Sequence, residues 1–67
     1  MRDELLKASR AHFESHILKH KMNIEVMLNN PIAIPEHTDI MSAIETELAH
    51  IAEYDDKLEM LNKHFSK

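Results

Sequence analysis

Apolar residues recur at helical spacing along two stretches of nearly equal length, with one short segment between them. The first stretch places Leu6, Phe13, Ile17, Ile24 and Leu28 on one face. The second places Ile40, Ile44, Leu48, Ile51, Leu58 and Phe65 on one face, flanked by Met41, Tyr54 and Leu61. Steps of three, four and seven residues mark amphipathic helices. Between them lies Asn29-Asn30-Pro31-Ile32-Ala33-Ile34-Pro35, which holds both prolines of a chain that has no glycine. The pattern predicts a single all-α domain over residues 1–67: helix one from about 3 to 28, a loop over 29–35, and helix two from about 36 to 65.

Local chemistry sets the ends. Asp3 is placed to cap the first turn, and Glu4 suits the positive end of the helix dipole. Asn29-Asn30 tolerates the left-handed turn that closes a helix, and Pro31 pushes Asn30 out of helical geometry. Helix two starts between Pro35, which fits a first turn, and Thr38, the better side-chain cap. A connection this short leaves the two stripes no choice but to meet in an antiparallel helical hairpin. Ile32 and Ile34 then cover its closed end.

A chain of 67 residues buries little of its surface and needs a staple. It has no cysteine, so disulfides and thiolate metal sites are excluded. Self-association or an oxygen/nitrogen metal site is left. Helix one carries a second stripe nearly opposite the first, Ala11, Ser15, Leu18, Met22 and Val26, which one hairpin cannot bury. Scattered surface apolars are normal, but a two-helix hairpin has only one internal seam. The expectation is a homodimer forming a four-helix bundle, with Ala11, Leu18, Met22 and Val26 as a contact surface for higher assembly or a protein partner.

The formal charge of −4, spread along the chain, disfavours nucleic-acid binding, which needs a basic face. No apolar run reaches the roughly 18 residues of a membrane span. Met1-Arg2-Asp3-Glu4 is acidic almost at once, unlike a signal peptide. These features point to a cytoplasmic protein that binds neither nucleic acid nor membrane.

Polar residues also reach the inner faces. With the turn centred near residue 33, Arg10 faces Asp55 and predicts a register-fixing ion pair. Six histidines are the unusual feature. His12, His16 and His20 form a slanting row on helix one, and Glu47-Leu48-Ala49-His50 gives a Glu-x-x-His step on helix two, the step that dimetal four-helix bundles use. In the same register His16 faces His50 and His20 faces Glu47, so these four could converge on zinc or another divalent transition metal.

Simpler readings compete. Flank histidines commonly serve as partners of acids, and Glu47 beside His20 reads equally as an ion pair. The full dimetal arrangement wants further inward carboxylates, and Glu14 and Glu25 do not fall there. A third reading is pH sensing by imidazoles that titrate near pH 6.5. Tyr54 packs its ring beside Glu47 and His50 while keeping its hydroxyl wet. No nucleophile–base pair or phosphate loop is present. The expectation is therefore a non-enzymatic protein without a cofactor, a metal-binding bundle being the alternative.

The runs Arg10-Ala11-His12, His16-Ile17-Leu18-Lys19-His20, Leu28-Asn29-Asn30-Pro31, Glu36-His37-Thr38-Asp39-Ile40 and Ile51-Ala52-Glu53-Tyr54-Asp55-Asp56-Lys57-Leu58-Glu59 cover most of the chain. Together they resemble short uncharacterised proteins of tailed marine phages that infect cyanobacteria. The resemblance implies a phage product acting in the host cytoplasm. It carries no activity, so no functional residue is transferred from it.

Overall fold

The computed structural model describes residues 1–29 and 39–66. They form two helices, α1 (Arg2–Asn29, 28 residues) and α2 (Ile40–Phe65, 26 residues). The helices pack side by side in a rod of 48 × 16 × 15 Å. They run antiparallel: Arg2 Nη2 donates to the Phe65 carbonyl at one end (3.3 Å), and His20 meets Glu47 further along. The hairpin expected from the two matched stripes is thus present. The expected loop, with Pro31, Pro35, Ile32 and Ile34, and the expected start of helix two at 36 lie outside the described residues.

The ends follow local rules with two changes. At the start of α1 the Leu5 amide donates to the Met1 carbonyl (3.0 Å), so Asp3 sits inside the first turn and favours it through the dipole instead of capping it. Met1 carries its terminal ammonium 3.3 Å from Glu4 Oε1. At the far end Asn29 Nδ2 donates to the Glu25 carbonyl (2.8 Å), satisfying one acceptor of the last turn. The cap of α2 is Asp39, in extended geometry (φ −65°, ψ 100°), whose Oδ1 accepts from the amides of Met41 and Ser42. Lys63 and His64 complement the dipole in its last turn.

The seam alternates four- and three-residue steps, the spacing of a coiled coil. On α1 it runs Leu6, Arg10, Phe13, Ile17, His20, Ile24 and Met27; on α2 it runs Ile40, Ile44, Glu47, Ile51, Tyr54, Leu58 and Leu61. All of these are shielded to some degree. Leu48 and Leu28, expected in the seam, stand outside it at 53% and 61% exposure. The seam repeats every three and a half residues, so Glu47 and Met27 take the levels that a purely apolar reading gives to their neighbours. Phe65 is also largely exposed, lying over Leu5, Leu6 and Ser9 at the open end.

The register keeps the expected meeting of His20 and Glu47 but departs, toward the open end, from the one a turn at residue 33 predicts. Arg10 does not pair with Asp55; its Nε donates to Asn62 Oδ1 at 2.8 Å, two turns further along α2, and Asp55 is exposed. His16 lies against Tyr54, one turn beyond His50. Among the described residues no apolar side chain is buried, and the one buried residue is His20, 7% exposed. Among the described residues the most protected point is therefore polar.

Candidate functional site

The site is a ladder of aromatic rings along one flank of the seam. It begins with His12, edge-on to His16 at 4.6 Å between centroids. His16 stacks on Tyr54 of α2 (4.2 Å, 11° between planes). Tyr54 also lies 6.2 Å from His20, in nearly parallel planes. His20 stacks on His50 of α2 (4.5 Å, 18°). The four-residue spacing of His12, His16 and His20 produces this geometry, because side chains one turn apart overlie one another. Tyr54 comes from the other helix and lies against the His16 ring, while His16 and His20 themselves stand 6.2 Å apart. Its ring also lies 5.0 Å from Lys57 Nζ, whose ammonium is 2.7 Å from Glu53 Oε2.

The ladder is anchored on Glu47. Its Oε1 lies 3.1 Å from His20 Nδ1 and also accepts from Asn23 Nδ2. The Asn23 hydrogen bond first, and the His20 hydrogen bond second, hold the Glu47 carboxyl below its ordinary value of 4.5. Glu47 is therefore ionised at neutral pH. An ionised carboxylate only accepts, so His20 carries a proton on Nδ1 and donates it. The side chains of the pair are 9% and 13% exposed.

His16 is the opposite case. Its Nδ1 is shut away from water and has no hydrogen-bond partner. Desolvation, and then the neighbouring His12 and Lys19, push its pKa below the ordinary 6.5. Protonation of His16 is thus disfavoured while its ring stays stacked on Tyr54.

The four residues expected to converge are therefore divided. His20, Glu47 and His50 meet, while His16 stands one turn away on Tyr54. Imidazole lone pairs lie in the ring plane, so stacked rings direct their nitrogens side by side instead of toward one point. Among the described residues no three His, Asp or Glu side chains are gathered as ligands for one ion. Asn23 and Asn62 were not expected at the seam. Asn23 lies three residues from His20 and so shares its face, a signal legible in the spacing.

The outer face of α1 is the second candidate. Leu18, Met22 and Val26 are 56%, 59% and 65% exposed, and Ala11 is exposed in line with them. Ala8, Ala11 and Ser15 floor a shallow depression with His12, His16 and Lys19 around it. Among the described residues no helix is long and apolar enough to cross a membrane. In comparisons with protein-family models, curated proteins and solved structures, none matched the chain.

Proposed function

We propose that this chain is a small, non-enzymatic assembly protein whose hairpin pairs with a second copy to form a four-helix bundle. One observation carries the reading: no apolar side chain among the described residues is buried, while large ones stand open on both helices. A single seam between two helices supplies too little apolar burial to offset the ordering of the backbone. Pairing moves the half-covered seam toward the centre of a four-helix core.

The side of the hairpin away from the histidines suits this contact. There Met41 and Leu48 of α2 lie beside the half-covered Ile44, and Leu28 of α1 is exposed. Pairing through that side leaves the ring ladder on the outside. The outer face of α1, with Ala11, Leu18, Met22 and Val26, remains as a second contact surface. On the phage resemblance of the sequence, any further partner would be a host protein in a bacterial cytoplasm.

Sedimentation equilibrium at micromolar concentration tests the bundle. The expected mass is at least twice the 7.8 kDa of one chain, with a melting temperature that rises with concentration. A monomer with a concentration-independent melt overturns it.

A further inference from the structure

The outer face of α1 has an order beyond its apolar character. Ala8, Ala11, Ser15, Leu18 and Met22 repeat the four-three spacing of the inner seam, nearly opposite to it. Its N-terminal half is small: Ala8, Ala11 and Ser15. Its C-terminal half is large: Leu18 and Met22, with Val26 beside the next position. A helix seam packs to native density when large residues of one helix meet small residues of the other.

We infer that this face binds the same face of a second copy, with the two α1 helices antiparallel about a twofold axis near the Ser15–Leu18 turn. In that arrangement Ser15 lies opposite the partner's Leu18, and Ala11 lies opposite the partner's Met22. Ala8 lies opposite the turn that carries the partner's Glu25 and Val26. The two apolar levels, Ser15 with Leu18 and Ala11 with Met22, then each pair a small residue with a large one, and the twofold axis makes each pair twice. Parallel pairing sets alanine on alanine and methionine on methionine. It leaves half of the seam hollow and crowds the rest.

Charge favours the same choice. Glu14 and Lys21 border the face on one side, and antiparallel pairing sets each Glu14 beside the partner's Lys21. The other border sets His12 near the partner's Lys19 and contributes no attraction. The face from Ala8 to Val26 runs about 27 Å along α1 at 1.5 Å per residue.

This contact is separate from the bundle contact, and it deepens the assembly reading given above. A chain with two unlike twofold contacts builds a closed tetramer or an open string of hairpins.

The absence of native cysteine makes the test direct. Chains carrying Ala11→Cys are mixed with chains carrying Met22→Cys and oxidised in a thiol–disulfide buffer. Both positions are exposed, so the hairpin itself is expected to fold unchanged, with circular dichroism as the check. Antiparallel pairing brings the two cysteines within the 4.4–6.8 Å between Cα atoms that a disulfide spans, so the mixed disulfide is expected as the main product. Dominant like-with-like disulfides overturn the antiparallel orientation. Recovery of only thiols from particles that sediment as dimers overturns this contact and leaves the bundle standing. A mixed disulfide from chains that are monomers when reduced supports this contact and removes the bundle.

The charge pair gives a second measurement. Glu14→Lys is expected to weaken the association through this face by about three- to tenfold, and adding Lys21→Glu to the same chain is expected to restore it. In a parallel pair the double variant stays weak, because Glu14 would then face the partner's Lys19, and that result overturns the inference.

Discussion

His20 and Glu47 meet across the seam, with Nδ1 3.1 Å from Oε1, at levels that apolar side chains fill in a plain coiled coil. Such a pair costs desolvation and returns specificity: it satisfies itself in one register and is left broken in the others. Glu47→Leu strands the His20 donor in the seam and should cost about 2 kcal/mol. His20→Leu with Glu47→Leu should be at least as stable as the original chain, because two leucines pack where two polar groups were buried. Urea unfolding of the two singles and the double decides this. A double variant less stable than the original chain would show that the pair is a net source of stability.

Stability should fall on acidification in two steps. His16 has a folded pKa below its ordinary 6.5, so the unfolded chain binds the proton more readily than the fold does. Stability is therefore lost as pH drops through about 6.5. Glu47 also has a depressed folded value, so its contribution is present above its ordinary 4.5 and is lost as pH falls through the lower folded value. His16→Phe keeps a ring against Tyr54 and removes the titrating group. It should flatten the upper step and leave the lower one. Chemical unfolding followed at a series of pH values reads both steps, and an unchanged upper step in the variant rejects His16 as its source.

The Asp39 cap offers a local test. Its Oδ1 accepts from two amides that would otherwise lack partners at the start of α2. Asp39→Ala should cost about 1 kcal/mol, which for a domain of this size lowers the melting temperature by about 4–8 °C. Asp39→Asn should keep most of the loss back, since an amide oxygen accepts the same bonds. Thermal melts by circular dichroism separate the three chains. Equal losses for alanine and asparagine would assign the effect to charge at the helix dipole instead of to the cap.

The two helices were legible because period and punctuation agreed: Leu6, Phe13, Ile17 and Ile24 kept one face, and both prolines fell in one place. The seam was only half legible. An apolar reading selects Leu48, but packing follows the level of Glu47, whose polar head is satisfied by His20 and Asn23 from the other helix. Nothing in α2 alone announces those partners. A turn centred near residue 33 sets His20 against Glu47, which the fold keeps, but it also sets His16 against His50, whereas that ring lies on Tyr54 one turn away. The histidine row itself followed from spacing. That its members would present ring faces did not, because stacking depends on which rings the opposite helix lays against them, Tyr54 on His16 and His50 on His20.

Ring stacking also decides what the ladder does with zinc. A tetrahedral zinc site needs lone pairs aimed at one centre about 2.0–2.1 Å from each nitrogen. The His20 and His50 rings lie 4.5 Å apart at 18°, so their nitrogens point along nearly parallel planes. Glu47 Oε1 is already held by His20 and Asn23, and His16 is stacked on Tyr54. Binding would require His50 to swing out of its stack and His20 to give up Glu47. Titration of chelator-treated protein with zinc should therefore give only the heat of dilution, and the imidazole C–H proton resonances should not move. A stoichiometric heat that disappears in His50→Ala would overturn this and make His16, His20, Glu47 and His50 a metal centre that forms by rearrangement.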